Sequence, residues 1–180
     1  MNTRTTARTY VRRMSKYVDG AAPYEWEQAA QWYNDAQVVA YDVAARCKVT
    51  LEIGASIVSA FSPRVPWSRN IVLALAFADG KATPGLSNSR RMAERSMVQG
   101  FDALKGPKTN AFARAIAGDE DAVVVDSWMM KAAGLLDRDA PSPVQYRRIS
   151  EAVTVLARRH GVSPRTMQAL IWIRVRGKAN

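Results

Sequence analysis

Glycine and proline interrupt this chain at short, regular intervals, and the stretches between them carry apolar residues three and four positions apart. Proline lacks the amide donor and turns its preceding residue away from the helical region, while glycine accepts the left-handed conformation in which helices commonly end. Segments bounded in this way and repeating with a period near 3.6 are amphipathic helices. The spacing predicts helices over 24–48, 51–61, 67–79, 89–98, 110–117, 127–136, 144–160 and 164–176. The run Ala122–Val125 is strand-like but short and solitary, too little for a sheet. The expected fold class is therefore all-α, with one compact helical core. Residues 1–20 read as a basic N-terminal arm and 21–138 as the main helical domain. Residues 139–180 read as a basic helix pair on the same core, joined through the linker Asp139–Pro143.

Composition narrows the function classes. With 48% hydrophobic and 23% charged residues the chain can bury a core. Its longest apolar run, Ile71–Ala78, falls far short of the roughly 20 residues that cross a bilayer. A water-soluble protein without a membrane partner is expected. The first turns carry basic residues without the apolar stretch of a secretory leader, so a cytoplasmic location is expected, in the host cell if a phage encodes the chain. Cys47 and His160 are the only residues of their kinds. An internal disulfide, a four-cysteine iron–sulfur cluster and a Cys/His zinc site are thereby excluded, and no cofactor or metal is expected. A histidine-dependent triad would have to use His160, which sits in a basic stretch better suited to a surface or capping role.

Charge is concentrated at the ends. Residues 1–17 hold Arg4, Arg8, Arg12, Arg13 and Lys16 with no acid; residues 147–180 hold eight basic residues against Glu151. The ends contribute +5 and +7 and the middle −2, so the net +10 belongs to the ends. Clustered Lys and Arg gain free energy by displacing counterions from a polyanion, which makes DNA the expected partner and Arg12 and Arg13 candidate contacts. A solvated, solubilising surface is the alternative.

Three segments, in order, carry a resemblance to a known family. They are Ile57–Arg64 leading to Asn70; Gly85–Glu94 with Asn88, Ser89, Arg90 and Arg91; and Leu104-Lys105-Gly106-Pro107-Lys108-Thr109 followed by Val124-Val125-Asp126-Ser127. Together they resemble the helix-hairpin-helix DNA glycosylase superfamily: an apolar helix and serine-containing turn near its DNA-facing cleft, its Asn-Ser helix start, and its hairpin with a Lys-Thr pair and a downstream aspartate. Lys108 and Asp126 stand 18 positions apart, as the family pattern requires. The chain departs from that pattern in its Gly106-Pro107 pair where the family hairpin has Gly-x-Gly, in Trp128 after Ser127, and in lacking the cluster cysteines. Short chains of this kind also resemble bacteriophage proteins.

The resemblance implies a helix-hairpin-helix fold, double-stranded DNA as partner, and cleavage of a glycosidic bond, or a related modification, at a base flipped from the duplex. Asp126 would stabilise positive charge on the sugar or activate the incoming nucleophile, and Lys108 would attack the sugar, helped by a neighbouring cation such as Lys105. Arg64, Arg90, Arg91, Lys105, Gly106 and Thr109 would contact DNA. Other readings stay open: Asp126 is also placed as an ordinary helix N-cap and Lys108 as a phosphate clamp or solvated lysine. A non-catalytic, regulatory or architectural DNA-binding protein, or a base-hypermodification enzyme, fits the same residues. Finally, Leu156–Leu170 resembles a helix-turn-helix whose second helix would offer Arg165, Thr166 and Gln168 to base edges, although Trp172 and Ile173 suit a buried helix instead.

Overall fold

The helix boundaries follow the punctuation. In the computed structural model, which describes residues 6–84, 86–136 and 140–177, there are nine α-helices, one 3-10 turn and no strand among the described residues. Helices α1 (Ala7–Ser15) and α2 (Pro23–Cys47) come first. They are followed by α3 (Leu51–Ala60), α4 (Trp67–Ala78) and α5 (Ser87–Gln99). The 3-10 turn Gly100–Ala103 leads to α6 (Pro107–Ala117), α7 (Ser127–Ala132), α8 (Pro143–His160) and α9 (Pro164–Arg176). Four of these helices open on a proline, where a missing N–H costs nothing because first-turn amides have no partner within the helix. Ahead of α8, Ser142 Oγ accepts from Gln145 N while the Gln145 side chain accepts from Ser142 N, a reciprocal cap; ahead of α9, Ser163 Oγ accepts from Thr166 N. Gly118, Gly161 and Gly177 close α6, α8 and α9 in the left-handed region.

The described chain divides into two units. The residues through Tyr33 join those from Glu120 onward, and the intervening residues 34–119 form the other. In the 34–119 unit, α3 is buried from Gly54 to Ala60 and packs on α4, α5, the 3-10 turn and α6. Its two buried serines are satisfied by carbonyls, Ser56 Oγ donating to Glu52 O and Ser59 Oγ to Thr109 O, so the helix can lie inside its unit. Gly54 is what lets α3 approach α2, since a Cβ there would stand 2.4 Å from Ala40 O and 2.8 Å from Ala44 Cβ.

In the other unit α1 packs on α8, α8 on α9, and α7 on α9. Tyr10, Met14, Ile149, Leu156, Met167 and Leu170 are almost wholly buried. The start of α2 is fastened to α9 by Tyr33 with Gln168, Trp32 with Trp172, and Glu25 with Arg174.

Several expectations change here. The N-terminal arm contains a packed helix, because Tyr10, Val11 and Met14 form a buried stripe beneath its arginines. The division falls at Tyr33 and Glu120 rather than near 20 and 138. Helix α6 begins at Pro107, three residues earlier than the periodicity indicated, and α7 ends four residues sooner, at Ala132. Ala122–Val125 is buried without being a strand, and Tyr146 Oη ties it down by donating to Val123 O and accepting from Val125 N. Arg4, Gly85 and Asp139, each part of a reading above, lie outside the described residues. Among the described residues no helix is long and apolar enough to cross a membrane, and no group of three or more His, Cys, Asp or Glu could hold a metal ion.

Candidate functional site

Asp126 stands at the start of α7, in the unit formed by the residues through Tyr33 and from Glu120 onward. It is the N-cap of α7, half-buried, with Oδ1 accepting from Met129 N at 2.9 Å and Oδ2 accepting from the Trp172 indole Nε1 at 2.9 Å. One oxygen answers a free amide of the first helical turn; the other is fixed by α9. Trp172 is itself packed, tilted 56° against the Trp32 ring at 5.6 Å and 4.7 Å beneath the Arg176 guanidinium. The negative charge is felt nearby. Burial, then the charge of Asp126 and the neighbouring Tyr146, hold the Tyr33 phenol well above its ordinary range, against a smaller opposing effect of Arg165. Burial likewise pushes the Tyr146 phenol up to about 12, with the hydrogen bond from Val125 opposing and Asp126 adding to it. The result is a carboxylate held in one orientation among aromatic rings.

Lys108 belongs to the 34–119 unit, in the first turn of α6. It is half-buried and has no ion-pair partner among the described residues. Gly106 is the N-cap of α6 with φ −77°, so the position uses none of glycine's left-handed freedom. Lys105 and Gly106 are exposed, but Thr109 is turned inward, which corrects its reading as a DNA contact. Its Oγ1 donates to Gly106 O at 3.0 Å, and its carbonyl accepts from Ser59 Oγ at 2.7 Å, tying the start of α6 to α3.

The other DNA-contact candidates separate into free and committed groups. Arg12 is exposed on α1, whereas Arg13 lies across Gly134 and donates to Ala133 O at 2.9 Å. Arg64 is exposed with φ +59° in the turn after α3. Arg90 is spent on Glu94 at 3.0 Å and Lys81 O at 3.1 Å. Arg91 is exposed and donates to Asn88 Oδ1 at 2.6 Å. The base-reading role given to Arg165 and Gln168 is corrected: they are 9% and 3% exposed. Gln168 Oε1 accepts from Tyr33 Oη at 2.6 Å, and Arg165 lies over the Tyr33 ring with a guanidinium nitrogen 3.8 Å from Glu120. Two of the three side chains offered to base edges are thus turned inward, while Thr166 is half-exposed.

Sequence reasoning missed two features. Trp172 as the second anchor of Asp126 had no signal, because 46 positions separate them. The outer face of α5, with Pro63 across from it, borders an open groove of about 860 Å³ within the 34–119 unit. The i, i+3, i+4, i+7 pattern of Asn88, Arg91, Met92 and Arg95 is the signal that would have found it. Pro63 comes from the first of the three resembling segments and Asn88 and Arg91 from the second.

No curated protein and no solved structure matches this chain. A family model does match, over residues 1–179, and the chain belongs to that family, the family of unknown function DUF7178.

Proposed function

We propose that this chain is a DNA-binding protein that acts on a base drawn out of the duplex, in the manner of a helix-hairpin-helix glycosylase. The observation that carries the reading is the state of Asp126: a half-buried carboxylate fixed by two donors from two helices. A fixed negative charge stabilises a developing sugar cation without having to reorganise as the bond to the base breaks. Following the resemblance, and independently of Asp126, Lys108 is the residue assigned to amine attack: its nitrogen bonds to the anomeric carbon as the bond to the base breaks, and the glycosidic electron pair leaves with the base. The net charge of +10 supports a polyanionic partner, and exposed Arg12, Arg64 and Lys105 are among the side chains available to duplex phosphates.

The test is borohydride trapping on duplexes carrying a panel of damaged and modified bases. The amine pathway passes through a Schiff base, so the intact chain should form a covalent adduct and Lys108→Gln should not, with binding nearly unchanged. An adduct that persists in Lys108→Gln assigns the chemistry to another residue.

A second reading, binding without catalysis, is favoured by the same carboxylate. Both Asp126 oxygens are already engaged, as a purely structural cap would be. Tight binding with neither cleavage nor modification across the panel would establish it.

A further inference from the structure

The outer face of α5 is unlike the other basic surfaces of the chain. Its inner face, Ser89, Ala93 and Ser96, is buried. The outer face lines the groove with Asn88, Arg91, Met92, Arg95 and Val98, and Pro63 stands across from it. Arg91 and Arg95 are one helical turn apart, about 6 Å along the axis. Arg95 has no ion-pair partner among the described residues, and Arg91 is held toward Asn88 rather than by an acid. The single acid of the groove, Glu94, is taken by Arg90. Between and beyond the two guanidiniums lie apolar groups: Met92 is half-buried and Val98 is 87% exposed, the most exposed large apolar side chain described.

Two cations in a row with an apolar strip beside them match a chain of phosphates carrying flat apolar faces. The outside of a duplex offers phosphate and sugar but keeps its base faces stacked, which would leave Met92 and Val98 without a partner. An unpaired strand offers both. The groove, of about 860 Å³ and open to solvent, has room for a small part of an extended strand. We infer that this groove is a single-strand site, in which Arg91 and Arg95 hold successive phosphates, Met92 and Val98 lie against an unstacked base, and the Asn88 amide faces a base or sugar edge. The inference goes beyond the proposed base chemistry and uses neither Lys108 nor Asp126, so the two stand or fall separately.

The experiment is fluorescence anisotropy of the full chain with a labelled oligothymidylate and with a fully paired duplex of equal length, over a series of salt concentrations. Arg91→Ala with Arg95→Ala should weaken single-strand binding about tenfold and flatten its log–log salt slope by about 1.4, two contacts at roughly 0.7 each. Duplex affinity should change less than about twofold, because single-strand sites depend on base contacts that a duplex withholds. Val98→Ser should weaken single-strand binding with the salt slope unchanged, as loss of an uncharged contact requires. Glu94→Gln should act in the opposite direction and strengthen it. All four positions are away from the core of the unit, and circular dichroism of each variant confirms that the helices persist. Equal losses on both oligonucleotides would make the groove a general phosphate surface and overturn the inference, as would unchanged single-strand affinity in the double variant.

Discussion

Replacing Asp126 by asparagine is the obvious way to remove its charge, and the geometry says that the change is not structurally neutral. Asparagine equals aspartate as an N-cap, but an amide has one acceptor oxygen where the carboxylate has two. Asp126 uses both, Oδ1 for Met129 N and Oδ2 for Trp172 Nε1. If the amide oxygen keeps the cap, its NH2 faces the indole N–H, donor against donor. Losing a hydrogen bond to a charged acceptor and leaving a partly buried donor unpaired costs about 1–3 kcal/mol. In a Trp172→Phe background the indole donor is gone, the single oxygen serves Met129 N, and the same substitution should cost under about 0.5 kcal/mol. The coupling between the two positions is therefore expected at about 1–2 kcal/mol, measured by urea unfolding of the four proteins followed by circular dichroism. Equal costs of Asp126→Asn in both backgrounds would refute the two-donor description. The cycle also serves the functional question, because Trp172→Phe is the background in which asparagine removes charge with the least disturbance of the fold.

Gly54→Ala should destabilise the chain even though alanine is the better helix former by about 1 kcal/mol, because its Cβ would meet Ala40 O at 2.4 Å; a net loss of about 1–2 kcal/mol in urea unfolding is expected, and a gain would contradict the close approach. Arg165→Ala should lower stability by about 1–3 kcal/mol and leave DNA sequence preference unchanged, which a binding-site selection would check, since the guanidinium lies over Tyr33 rather than toward solvent. The Tyr146 phenol keeps its proton in the folded chain from the usual 10 to about 12, while the unfolded chain loses it above 10. Its contribution is thus complete below pH 10 and is lost as pH rises through the folded value, so stability should fall more steeply across that window in the parent than in Tyr146→Phe, as read by unfolding at stepped pH.

The helical class was legible because it rests on local information. Pro23, Pro143 and Pro164 at helix starts, and Gly118, Gly161 and Gly177 at helix ends, are decided within a few residues. What a helix packs against is not local. The arginines at 8, 12 and 13 suggested a tail, but the buried stripe of Tyr10, Val11 and Met14 makes α1 a structural helix. Deleting residues 1–17 would therefore test stability together with binding, and neutralising exposed Arg8 and Arg12 is the cleaner probe. Arg165 and Gln168 were misplaced for a related reason: polar residues at the start of a helix suit a DNA-reading surface and a buried hydrogen-bonded pair equally well, and only the partner, Tyr33, decides. Asp126 as a cap was visible from its place before Ser127, whereas its hold by Trp172 depends on where α9 folds back.

Above all, we propose that this chain engages DNA with a base out of the stack. That claim is tested most directly by comparing, at several salt concentrations, its affinity for a matched duplex and for the same duplex with one base left unpaired. Extruding an unpaired base avoids part of an unstacking cost of a few kcal/mol, so the unpaired substrate should bind about tenfold more tightly. For both duplexes log affinity should fall linearly with log salt concentration, as phosphate contacts require. Equal affinity for the two duplexes, or binding that ignores salt, would contradict it.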